Sequence, residues 1–199
     1  TIKKHRINAL IGQSIQSDMT ETIYLNGKNY IDPIVTPIQS AAKYTRISRD
    51  KNERMMLSYF GRINYSYIWK YIFSFVLRND ASSRFGPDKR SGFFPSASFA
   101  WRFSDEPFMK FSKVFLEDGK WRISYGVTGN QATSNYGWQG LYVASSSKYD
   151  GNVAIGHDNL ANPGLGWETT TQYNTGLDLT FLNSRVFFSV DAYMKNSED

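Results

Sequence analysis

Between Ser96 and Phe108 the chain reads SASFAWRFSDEPF, with Ala97, Phe99, Trp101 and Phe103 taking every second place and Ser96, Ser98, Ala100 and Arg102 the places between. Successive side chains of a β-strand point to opposite faces, so a period of two specifies a strand with one apolar and one wet face. The apolar face must meet something other than water, either a protein core or lipid.

Six further segments carry the same alternation. They run from His5 to Ser17, Met55 to Tyr67, Tyr71 to Asp80, Trp121 to Gly129, Thr169 to Phe181 and Arg185 to Met194. In the second, Leu57, Tyr59, Gly61, Ile63, Tyr65 and Tyr67 oppose Ser58, Phe60, Arg62, Asn64 and Ser66. In the fifth strand along the chain, Trp121, Ile123, Tyr125 and Val127 oppose Arg122, Ser124, Gly126 and Thr128. Strands of roughly nine to thirteen residues exceed the five or six usual in soluble sheets and match the span of a tilted membrane strand.

The connections alternate as well. Asp18–Arg54, Asn79–Phe93 and Asn130–Glu168 are long and polar, whereas YIWKY (Tyr67–Tyr71) and FLNSR (Phe181–Arg185) are short. The intermediate link Ser104–Lys120 is expected to hold one helical turn at DEPFMKF. Short and long links on opposite ends describe an up-and-down antiparallel meander, the pattern of outer-membrane barrels. The expected fold is therefore all-β: an antiparallel up-and-down meander of about seven strands, in the manner of a transmembrane β-barrel. Phe99, Trp101, Ile123, Tyr125, Phe188 and Val190 should face outward, and Ser98, Arg102, Arg122 and Asp191 inward. Tyr65, Tyr67, Trp69 and Tyr71 gather at the short-turn end, where an interfacial aromatic girdle belongs.

Composition narrows the function classes. The chain has no Cys, which removes disulfides and thiolate metal sites, and its two histidines, His5 and His157, are too few for a His-rich metal site. No cofactor or metal is expected. Net charge is +5, but the basic residues are scattered, unlike a nucleic-acid patch. No apolar run is long enough for a transmembrane helix, a test to which β-strands are blind.

Few motifs carry chemistry. SSRFGPDKRSGFFPS (Ser82–Ser96) reads as a basic turn around Gly86-Pro87-Asp88, since no phosphate-loop signature follows. SYGVTGNQ (Ser124–Gln131) lacks dinucleotide-loop spacing, and Gly126 is expected where a neighbouring group comes close. Glu168 and Asp158 could pair as glycosidase carboxylates, although Glu168 better opens a strand. Tyr136, Trp138, Tyr142 and Tyr149 stand among small polar residues in one long loop, suited either to stacking on a sugar or peptide or to packing the loop itself. Arg62, Arg78, Arg102 and Arg122 each fall on the polar face of a different strand. They form either a basic wall inside a lumen or isolated ion pairs with acids of loops or a plug.

The block FGRINYSYIWKYIFSFVLRNDASSRFGPDKRSGFFPSASFAWRFSDEPFM, followed by ISYGVTGNQ and NPGLGWETTTQYNTGLDLTFLNSRVFFSVDAYMKNSED, resembles the barrel region of SusC/RagA-type TonB-dependent outer-membrane transporters. The resemblance covers about residues 53 to 199, and KKHRINALIGQSIQ looks like an earlier strand of the same barrel. It implies a barrel of about 22 strands with a plugged lumen. It further implies a SusD-like surface lipoprotein as lid, TonB acting through the plug, and uptake of oligosaccharide or peptide without catalysis. No plug or TonB-contacting segment is recognisable, so residues 1–199 are expected to be a fragment of the C-terminal half of the barrel in the cell outer membrane. Two rivals make different demands. A soluble β-sandwich carbohydrate-binding module needs its apolar faces packed on each other, and a β-rich glycoside hydrolase needs two carboxylates in one cleft.

Overall fold

The computed structural model describes residues 4–30, 37–131, 134–149 and 152–198, without the side chains of 145–149. In chain order the strands are β1 (His5–Tyr30), β2 (Ala41–Tyr67), β3 (Tyr71–Ser82), β4 (Ser91–Arg102), β5 (Leu116–Asn130), β6 (Leu141–Tyr149), β7 (Asn152–Asn159), β8 (Glu168–Phe181) and β9 (Val186–Glu198). Seven of them form one antiparallel sheet in the order β1-β2-β3-β4-β5-β8-β9, and β6 and β7 pair separately as a hairpin. The expected meander is present, curled as part of a barrel.

Directly paired residues of an antiparallel ladder point to the same side. Following the pairs across the sheet gives the row Ile7, Tyr65, Phe73, Phe99, Ile123, Thr175 and Ala192. One step along each strand, the row is Asn8, Asn64, Ser74, Ser98, Ser124 and Asn174. The alternation thus stays in phase from β1 to β8; on β9 the polar row ends at Tyr193, and Phe188 and Val190 against Ser189 and Asp191 keep the phase. Phe99, Trp101, Ile123, Tyr125, Phe188 and Val190 share the apolar face; Ser98, Arg102, Arg122 and Asp191 share the polar one.

Nothing among the described residues lies over the apolar face as a second sheet would. Phe75 is 58% exposed, Ile123 44% and Phe188 51%, and among the described residues the buried apolar side chains are Phe85, Phe94 and Leu116. A sandwich would need a second apolar face about 10 Å away, so that alternative is not favoured. Phe99 and Trp101 are half-buried rather than fully exposed, because neighbours on the same face lean on them. The Phe73 ring is 4.8 Å from Phe99, and Trp101 is flanked by Phe103 at 6.1 Å and Phe108 at 6.4 Å.

The turns at 68–70 and 182–185 lie at one end of the sheet, together with 103–115; the links 83–90 and 131–167 lie at the other. Two expectations need correction. The stretch Asp18–Arg54 is largely strand: β1 and β2 run on together as a ribbon for about 45–50 Å past the last β2–β3 pair. The ribbon escapes a search for alternation because charge occupies both of its faces, with Asp18 opposite Arg54 at 2.8 Å and Glu21 bonded to Arg49. The link Asn130–Glu168 likewise contains the β6–β7 hairpin.

The intermediate link forms two 3-10 segments, Phe103–Asp105 and Pro107–Val114. β4 ends at Arg102, so Phe103 leaves the strand and packs over Gly119 instead. Between the two segments the buried Glu106 carboxylate accepts hydrogen bonds from Tyr71 Oη (2.6 Å), Trp101 Nε1 (3.2 Å) and Lys70 Nζ (3.5 Å). The Tyr71 hydroxyl, then the Trp101 indole, hold its pKa below the usual carboxylate range. A depressed carboxylate stabilises the fold at neutral pH and loses that contribution as pH falls through its folded pKa. The protection of amides over 103–115 in the full-length protein, taken relative to intrinsic exchange at each pH, is therefore expected to fall on acidification through the folded pKa of Glu106. Glu106→Gln should lower that protection at neutral pH and remove its fall with acid.

Candidate functional site: the polar face and its loop end

Three of the four polar-face arginines sit in ion pairs made within this chain. Arg122 bonds Asp178 through Nε and an Nη, both at 2.8 Å, and reaches Asp191 at 3.1 Å, so one guanidinium ties β5 to β8 and β9. Lys120 (3.0 Å) and the Ser189 hydroxyl (2.8 Å) also converge on Asp178. Arg122 crosses Gly176, which is paired with both Arg122 and Asp191; a side chain there would collide with the pair. Arg78 donates from Nε to Asp80 (2.6 Å) and from an Nη to Ser58 (3.2 Å), linking β3 to β2. Arg102 donates to Asp118 at 3.3 Å. Arg62 is exposed on the same face. Asp80, Asp118, Asp178 and Asp191 stand on strands and share the arginines' parity, and Asp105, from the link after β4, lies 4.0 Å from Arg102. The face is a lattice of ion pairs.

At the long-loop end, that lattice meets an aromatic cluster. Phe94 projects from the polar face of β4, opposite Arg78, yet is buried. Trp167 covers it edge-on at 5.2 Å and touches Phe85, itself wholly buried, at 5.0 Å. The Trp167 indole donates to the Arg90 carbonyl at 3.1 Å. Gly92 and Gly129 admit the Phe94 ring, since a methyl on either would overlap it. The close approach expected at Gly126 thus occurs at Gly129; a methyl on Gly126 would meet only Ser96 Cβ at 3.4 Å. Gln131 bridges Ser82 (3.2 Å) to Met56 (2.9 Å). Arg78, Asp80, Phe94, Gln131 and Trp167 line a cleft of about 460 Å³.

The loop aromatics divide. Tyr136 Oη accepts the Glu53 amide at 3.2 Å, tying its loop to β2, and the Trp138 ring lies beside Gly86 of the 83–90 link. Tyr142 is 66% exposed and its ring is 4.5 Å from His157 on the β6–β7 hairpin. The Tyr149 side chain lies outside the described residues. Glu168 opens β8, accepting from Asn130 at 2.9 Å, while Asp158 stands on β7 in the other sheet. Sequence reasoning missed Phe94 and Trp167. The available signal was Phe94 itself, an aromatic ring out of phase on a wet face.

The model of the family described as "TonB dependent receptor-like, beta-barrel" matches residues 6–199. The chain belongs to that family. It is similar to TonB-dependent receptor P3 of Formosa agariphila, 33% identical over 98% of this chain and 20% of the relative. It is 39% identical to TonB-dependent receptor SusC of Bacteroides thetaiotaomicron over 72% of this chain and 15% of the relative. Among solved structures, the RagAB peptide transporter superposes with a TM-score of 0.88 at 28% identity, covering 98% of this chain and 22% of that one. The chain spans about a fifth of the length of these relatives. Their names are those of receptors and transporters.

Asp178 collects two cations and a hydroxyl, whereas Asp191 has one partner and is more exposed. Asp178→Asn in the full-length protein should cost about 2 kcal/mol, in line with charge-assisted hydrogen bonds, and Asp191→Asn clearly less. Urea unfolding in detergent gives both values.

Proposed function

We propose that the chain is part of the wall of an outer-membrane importer energised through TonB, which takes up oligosaccharide or peptide together with a SusD-like surface lipoprotein. The observation that carries this reading is the in-phase sheet. One uncovered face is apolar across seven strands, and the opposite face holds ion pairs. Such a wall offers lipid its apolar side and a lumen its polar side. In bacterial barrels the short turns are periplasmic and the long loops external. The 68–70 and 182–185 turns then face the periplasm, and the Trp167 cleft lies at the outer mouth of the lumen. Arg62, Arg78, Arg102 and Arg122 face the lumen. Tyr142, exposed on β6, and Tyr149 of the same strand are the proposed contacts for substrate or lid; Tyr136 and Trp138 brace the loop that precedes them. TonB acts through a plug belonging to the longer protein.

Two experiments test this. An arginine on the lipid side near the midplane costs about 2–4 kcal/mol. Ile123→Arg should therefore impair folding of the full-length protein into vesicles by that amount, and Ser124→Arg by far less; equal costs would contradict the facing. For the function, a strain lacking the full gene is grown on a panel of oligosaccharides and peptides as sole nutrient. Loss of growth on one class, reproduced by deleting TonB, is expected; a loss that does not depend on TonB would refute the importer.

A further inference from the structure

Pro107–Val114 is an eight-residue 3-10 helix at the short-turn end. Such helices rarely exceed three or four residues, and at three residues per turn side chains i and i+3 eclipse. The segment therefore has three ridges. Met109 and Ser112 face inward: Ser112 is buried and its hydroxyl donates to the Met109 carbonyl at 2.8 Å. Lys110 and Lys113 form an exposed basic ridge, with Lys113 also 3.5 Å from Asp105 in an ion pair open to solvent. Phe108, Phe111 and Val114 form the third, and they are 60%, 75% and 92% exposed.

Three apolar side chains in line and open to solvent mark an interaction surface. Its position says which. The Phe108 ring stands 6.4 Å from Trp101, the last apolar-face residue of β4, so the ridge continues the sheet's apolar face past the end of the strand. The Glu106 bonds to Tyr71 and Trp101 hold the segment against that rim. A lysine ridge beside an apolar ridge is the composition of helices that lie in a bilayer interface.

We infer that Pro107–Val114 is an interfacial membrane anchor. Phe108, Phe111 and Val114 enter the acyl boundary of the phospholipid leaflet at the short-turn end, while Lys110 and Lys113 lie against anionic headgroup phosphates. The inference rests on the reading that the apolar face meets lipid, and the experiment separates the two. Photoreactive benzoylphenylalanine is placed at position 111, or at position 99 on the strand face, of the full-length receptor. The receptor sits in nanodiscs of phosphatidylethanolamine and phosphatidylglycerol, and adducts are read by intact mass. A phospholipid adduct is expected at both positions. Lys110→Glu with Lys113→Glu should lower the yield at 111 several-fold, because each lysine near an anionic surface adds to binding, and leave the yield at 99 unchanged. A lipid adduct at 99 with a protein adduct, or none, at 111 overturns the anchor and leaves the barrel reading standing. No lipid adduct at 99 overturns both. A yield at 111 unmoved by charge reversal overturns the headgroup contact.

Discussion

The structure depends on the phase of its cross-strand pairing. A slip of one residue between any two strands would carry an entire apolar set onto the wet face. The ladder avoids this over seven strands: Ile7 stays in line with Tyr65, Phe73, Phe99 and Ile123, and Asn8 with Asn64, Ser74, Ser98 and Ser124. Ion pairs reinforce the phase where strands meet. Arg122 can reach Asp178 and Asp191 only while β5, β8 and β9 keep this register, with Gly176 between them. Charge placement thus follows from pairing, and pairing is held in turn by charge. Among the described residues the sheet's outer strands, β1 and β9, each pair on one side. Lipid does not tolerate an unpaired strand edge, which fits a chain about a fifth as long as its relatives.

What could be read from sequence was whatever alternates. The seven sheet strands, the two short turns and the facing of residues such as Phe99 and Arg122 all follow from period two. The 18–54 ribbon was illegible because it has no single apolar side: Asp18–Arg54 and Glu21–Arg49 make it polar on both faces. The strand end at Arg102 was missed because Phe103 continues the alternation in sequence while its backbone turns away to cover Gly119. At the site, the arginines' faces were legible but their partners were not, since Asp178 and Asp191 lie more than fifty residues from Arg122. Phe94 and Trp167 belong to no local pattern; they meet only because Trp167, just before β8, packs on Phe94 and on Phe85 of the 83–90 link.

The two ends of the sheet do different work. At the long-loop end, aromatic rings, glycines and the Arg78–Asp80 pair close a small polar-apolar cleft above the charge lattice. At the short-turn end, Tyr71, Trp101 and Glu106 fasten a short 3-10 helix to the rim of the apolar face. On the proposed reading the two ends have separate roles: the loops shape the entrance to the lumen, and the rim sets the depth of the wall in lipid.

The most direct measurement is a cysteine scan of β5 from Arg122 to Val127 in the full-length protein in its membrane, read by reaction with a membrane-impermeant maleimide. The account expects reaction at 122, 124 and 126 and protection at 123, 125 and 127. Reaction at the odd positions, or no oscillation along the strand, would contradict it.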